Sequence, residues 1–148
     1  MNRLILELAR TLHRPSLASG YSLPIVRVLA NVSLQSTEGW TTVRKAIIDT
    51  GAAVSLIPND VWRRAKFDPI VKVRTAGVVN RPECTIPATL ASVNCLLLHG
   101  PDRIGPLPIH ALLADSDRVP LLLGVSGILD RLRVVIDISN GHAVLESD

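Results

Sequence analysis

The stretch Ala46-Ile47-Ile48-Asp49-Thr50-Gly51-Ala52-Ala53-Val54-Ser55-Leu56-Ile57-Pro58 sets a carboxylate at the end of an apolar run. Thr50, Gly51 and Ala52, which follow it, include no Lys or Arg. A carboxylate taken out of water with no cation beside it is costly, so an acid in this position is either not buried after all or there for chemistry. Ile47 and Ile48 favour a buried strand, and Gly51 permits a tight backbone turn that a bulkier residue would obstruct. Leu56 and Ile57 begin a second short apolar strand, which Pro58 stops.

The same stretch resembles the active-site loop of retropepsin-like aspartic proteases, in the form of the single-domain bacterial members. The resemblance lies in Ile47-Ile48-Asp49-Thr50-Gly51-Ala52 with Ser55 behind it. A second element supports it: Pro120-Leu121-Leu122-Leu123-Gly124, followed by Val125-Ser126-Gly127-Ile128-Leu129-Asp130-Arg131, is similar to the family's apolar-apolar-Gly segment and the short helix after it. Both elements stand in the family's order and separation, and the match runs from about Pro24 to the C-terminus. Ala53 replaces the acid or polar residue of many retroviral members, and Val125 replaces an Arg that often braces their dimer.

The resemblance implies an aspartic endopeptidase. Two carboxylates share one proton; one activates a water and the other, protonated, polarises the peptide carbonyl. The chain holds one Asp-Thr-Gly, and Asp115-Ser116-Asp117 and Asp137-Ile138-Ser139 lack the glycine. The second carboxylate is therefore expected from a second subunit, with Asp49 meeting its mate across a two-fold axis. On this reading Asp49, Thr50 and Gly51 are the catalytic set. Thr50 would tie the two loops together, and Gly51 would bring a backbone N–H to the Asp49 oxygens. Ala52 would keep the substrate side of the loop small and apolar. Ser55 would hydrogen-bond an Asp49 oxygen or the loop backbone, Leu122 and Leu123 would wall the loop, and Gly124 would let the helix pack behind it. For Ser55 and the leucines, plain core packing is an equal reading. Thr75–Asn80, with Ala76, Gly77 and Val78 against the substrate, resembles the flap of bacterial members; an ordinary hairpin turn would suit Gly77 and Asn80 as well.

Two other functions are compatible with parts of the sequence. A non-catalytic dimeric peptide-binding or assembly module can use the same fold, but the intact Asp49-Thr50-Gly51-Ala52 argues against it. Gly124-Val125-Ser126-Gly127 looks superficially like a serine nucleophile elbow, yet its second glycine comes one position early and no His-Asp pair is evident.

Composition bounds the rest. A chain of 148 residues fits one domain with a real core. Hydrophobic residues make up 47% and aromatics only 3%, so that core must be aliphatic. A mean hydropathy of +0.32 suits either apolar surface buried between subunits or simply a strongly apolar core. The basic residues behind the net charge of +3 come in scattered groups, Arg63-Arg64 with Lys66, Lys72 with Arg74, and Arg131 with Arg133, and with aromatics at 3% they form no stacking platform, which argues against nucleic-acid binding. Cys84 and Cys95 make no disulfide framework, and His13, His99, His110 and His142 are too dispersed for a metal site. No cofactor is expected. Glu7 and Arg10 interrupt the apolar start of the chain, so neither a signal peptide nor a membrane span is read, and a soluble cytoplasmic protein is expected.

These residues need elements to hold them. Leu4, Leu8 and Leu12, with Ile5 beside them, predict a short amphipathic helix in an N-terminal extension over 1–22, ahead of a protease domain over 23–148. Strands are predicted over Ile25–Val32, Thr42–Ile48, Ile70–Arg74, Thr85–Val93, Cys95–His99 and Leu107–Leu113, with a loop over Gly100–Pro106. A helix start is predicted at Pro58-Asn59-Asp60 and a second helix from Gly124 to about Arg131. Leu132–Ile138 and His142–Leu145 flank Asn140-Gly141, the strongest hairpin signal in the chain. Many short strands and one or two short helices predict a mostly β, closed-barrel domain of the acid-protease type, active as a homodimer on peptide substrates.

Overall fold

The computed structural model describes residues 1–13, 20, 23–76 and 85–148. Side-chain alternation builds its core. In β8 (Thr85–His99) Ala91, Val93, Cys95 and Leu97 are buried, while Asn94 faces outward and donates from Nδ2 to Gln35 Oε1 at 2.8 Å. Its neighbours β3 (Leu23–Ser36) and β9 (Asp102–Ala114) bury Val32 and Leu34, and Ile109, Ala111 and Leu113, in the same way.

The remaining strands are β1 (Asn2–Ile5), β2 (Glu7–His13), β4 (Gly39–Trp40), β5 (Arg44–Ile48), β6 (Ser55–Ile57), β7 (Phe67–Ala76), β10 (Leu122–Leu123), β11 (Arg133–Asp137) and β12 (His142–Ser147). One turn of helix, α1 (Asn59–Trp62), follows Pro58. The larger sheet runs β2-β3-β5-β10-β6-β9-β8-β7, and β3 also pairs with β8. That extra pairing closes β3, β5, β10, β6, β9 and β8 into a ring, so the predicted mostly β closed barrel is present. Closure removes the edges of these six strands; β2 and β7 hang outside the ring as edges. The interior is aliphatic, with Leu34, Ile57, Leu97, Ile109, Leu113, Leu123 and Ile128 among its largest fully buried side chains. Trp62 and Phe67 meet edge to face at its rim, with centroids 5.5 Å apart.

A second sheet, β1-β12-β11, closes the bottom of the core. Its β11–β12 hairpin turns at Asn140-Gly141, with Gly141 at φ +67°. Asp137 Oδ1 accepts from Ser139 Oγ at 2.8 Å and from Asn140 N at 3.1 Å, and Oδ2 accepts from Asn140 Nδ2 at 2.7 Å. These donors favour the ionised form and hold the Asp137 carboxyl below its usual range. The sign of the effect is fixed: the turn keeps this support above the unfolded-state pKa and loses it as pH falls through the lower folded-state value.

Three expectations are corrected. The N-terminal residues form strands, not a helix. Leu4 and Leu8 are four apart, which is a helical spacing but also an even one, and even spacing puts residues on one face of a strand. Leu4 and Leu6 are buried and Leu8 packs against the core, because β1 pairs with β12 and β2 with β3. Residues 85–99 are one strand rather than two; Asn94 is polar because it faces out, and the irregularity is a bulge between Cys95 and Leu97. Gly100–Pro106 is mostly strand: β9 begins at Asp102, and the pairs Leu98–Arg103 and Leu97–Ile104 continue the ladder. No helix among the described residues is long and apolar enough to cross a membrane.

Candidate active site

The Asp49 loop connects β5 to β6, but those two strands do not pair with each other. Between them lies β10, contributed from far along the chain. Leu122 and Leu123 run parallel to Ile47 and Ile48, and Leu122 lies antiparallel to Leu56. The Asp49 amide donates to Leu123 O at 2.9 Å, so the last bond of this ladder fixes the residue itself. Asp49 is half-buried, and Thr50 and Gly51 are exposed beyond it. Gly51 N donates to Asp49 Oδ1 at 2.9 Å, and Ala52 N donates to Asp49 O at 3.3 Å, so the turn folds back on its own acid.

Contacts from the segment after β10 lock the loop. Ser55 is fully buried, and its Oγ accepts from Gly124 N at 3.1 Å rather than bonding Asp49. Val125 N donates to Ala52 O at 2.8 Å and Ser126 N to Ala53 O at 3.0 Å. These contacts require Gly124 to approach closely: a Cβ there would stand 2.6 Å from both Ala52 O and Val54 O. The residues after it do not form the regular helix expected. Ser126 (φ −64°, ψ 112°) and Gly127 (φ 88°, ψ −9°) break Val125–Leu129 into an irregular turn. The reason is again packing, since Gly127 lies so close to β9 that a Cβ would clash with Pro108 O and Ile109 Cα.

The architecture matches a known one. A retropepsin-like aspartic protease from Rickettsia conorii superposes with a TM-score of 0.53 over 96% of this chain and 93% of that one, at 17% identity. The chain has the retropepsin-like fold. EIAV protease complexed with the inhibitor HBY-793 also aligns, over 66% of this chain and 81% of its own at 18% identity, with a TM-score of 0.38 that supports no argument. No protein-family profile and no curated protein matches the sequence.

Within this retropepsin-like fold the sequence-predicted residues fall into two groups. Asp49, Thr50, Gly51, Ala52, Ser55, Leu122, Leu123 and Gly124 come together at the loop. Ala76 ends β7 opposite Thr85, so the two strands β7 and β8 lead out toward the segment expected as a flap. Gly77 and Val78, with the rest of that segment to Asn80, lie outside the described residues. A concavity of about 620 Å³ sits elsewhere, between the β3–β4 turn and α1, lined by residues that include Trp40, Arg63 and Arg64. It contains no residue of the Asp49 loop.

One contact was not legible in the sequence. His110 on β9 places Nδ1 2.9 Å from Ser126 Oγ. No periodicity links the two positions; only the packing of the irregular turn against β9 does. The serine-nucleophile reading gains a histidine here but no acid, because no carboxylate among the described residues hydrogen-bonds His110. Cys95 is no nucleophile either: burial pushes its thiol up to about 12. Among the described residues, no group of His, Cys, Asp or Glu is arranged to hold a metal ion.

Proposed function

We propose that the chain is one half of an aspartic endopeptidase, a homodimer that hydrolyses peptide bonds with a water held between two Asp49 carboxylates. The observation that carries this reading is the Asp49 loop itself. A half-exposed carboxylate, oriented by the Gly51 amide and braced through β10, presents an oxygen to solvent at the end of a closed barrel. The retropepsin-like fold supports it, as does the description of the Rickettsia conorii protein as an aspartic protease.

A single subunit is half of this machine. One Asp49 activates the water as base, and its protonated mate polarises the scissile carbonyl. Thr50, exposed beside the acid, would bond across the two-fold axis and hold the loops in register. The backbone N–H of Gly51 keeps one carboxylate oxygen occupied and leaves the other for the water and the shared proton. Ala52 and the strands leading to Ala76, Gly77 and Val78 would bound the substrate groove, with no cofactor taking part.

The subunit requirement gives the test. Specific activity on apolar-rich peptides should fall on dilution in step with dissociation of the dimer followed by analytical ultracentrifugation. A protein that is strictly monomeric and still cleaves with unchanged specific activity would refute the shared site. Reversible association with no cleavage at any concentration would favour a non-catalytic binding module.

A further inference from the structure

We infer that His110 is a positioning residue for the Asp49 loop, acting through Ser126; this rests on the aspartic-protease reading above. The turn that supports the loop is held by two backbone bonds on one side, Val125 N to Ala52 O and Ser126 N to Ala53 O. On its other side it lies against β9, where Gly127 makes van der Waals contact closer than any side chain would permit. The His110–Ser126 bond is the side-chain hydrogen bond that ties this turn to β9. Ser126 can serve both neighbours because its backbone is extended rather than helical, which aims its N–H at Ala53 and its hydroxyl at His110.

The path is short and runs through hydrogen bonds: His110 Nδ1 to Ser126 Oγ at 2.9 Å, Ser126 N to Ala53 O at 3.0 Å, and then the loop that carries Asp49. β9 is anchored in the barrel here. Ile109 and Ala111, on either side of His110, are buried in the barrel, and Ala111 pairs with Ser55 at the far end of the same loop. His110 thus references the loop to the barrel wall from below, while its own side chain stays at the surface and contributes little to the core. Two catalytic carboxylates must meet at a set separation, and misplacement of a reacting group by an ångström can cost about a hundredfold in rate.

The test compares His110→Ala with His110→Asn, together with Ser126→Ala. An Asn amide can occupy the place of Nδ1 and still bond Ser126. His110→Ala should lower kcat about tenfold with KM nearly unchanged, His110→Asn should restore most of it, and Ser126→Ala should reproduce the loss without adding to it in the double variant. In the same proteins, amide exchange at Val125 and Ser126 should quicken about tenfold in His110→Ala and recover in His110→Asn. Unchanged kcat and unchanged exchange in a folded His110→Ala protein would overturn the inference. Should the parent show no Asp49-dependent cleavage, the protease reading fails and the exchange measurement alone decides the brace: unchanged exchange overturns it, and quickened exchange keeps it.

Discussion

Replacing Asp49 by Asn should abolish peptide cleavage, with an expected loss of at least about a thousandfold, while the protein should stay folded and its association should persist. Asn matches the carboxylate in size, and its Oδ1 can still accept the Gly51 N–H that now lies 2.9 Å away. What it removes is the proton that each half of the pair must hold or release. If the two acids meet as proposed, removing their like-charge repulsion should leave association no weaker, which sedimentation checks. Subunit mixing sharpens the result. When parent and Asp49→Asn subunits are mixed equally and exchange freely, about a quarter of the dimers keep two acids, so about a quarter of the activity should remain. Retention of about three quarters would mean that one acid suffices. The parent should show a bell-shaped pH dependence, because only the form with one shared proton is competent. Full activity in the purified Asp49→Asn protein would sink the aspartic-protease reading.

Gly124→Ala should produce the second largest effect, this time through packing. The backbone there (φ −101°, ψ −163°) suits any residue, so conformational strain plays no part. The added methyl would stand 2.6 Å from Ala52 O and from Val54 O, both backbone atoms of the Asp49 loop. Neither can yield without moving the loop. Overpacking of this kind costs about 1–3 kcal/mol, which in a domain of this size lowers Tm by roughly 3–10 °C. Because the displaced atoms belong to the loop, kcat should fall more than tenfold as well. Gly51→Ala is the control. Its methyl would meet Asp49 Oδ1 at 3.3 Å, a contact that a few tenths of an ångström relieve, so it should lose activity with little loss of Tm. Calorimetry and steady-state kinetics on both variants check the contrast, and a Gly124→Ala protein with parental Tm and kcat would contradict the close approach.

Local chemistry made the loop legible from the sequence. An acid, a hydroxyl residue and a glycine after two isoleucines are enough to define a strand end and a tight turn, and the bonds within the turn span two or three residues. The Asn140-Gly141 hairpin was readable for the same reason, as was the aliphatic core from the shortage of aromatic residues. The N-terminal strands were not, because Leu4, Leu8 and Leu12 satisfy a helical period and a strand period alike. Burial against β12 and β3 chose between them. The same limit applies to β8, where a polar Asn94 reads as a break in the sequence although it faces outward from a continuous ladder.

The sequence by itself determined the nature of the acid, the turn that carries it and the mostly β class. Only the tertiary structure decided how the loop is held. It inserts Leu122 and Leu123 between β5 and β6, turns Ser55 Oγ to Gly124 rather than to Asp49, and brings His110 to Ser126. The physical reason is range. Turn propensity and strand alternation act between near neighbours and leave a pattern in the residue order, whereas closing a barrel brings together segments whose separation in the chain carries no period. The resemblance put Leu122, Leu123 and Gly124 beside the loop, but the bonds that brace it from outside its own turn are of this second kind, and they become visible only once the ring of strands has closed.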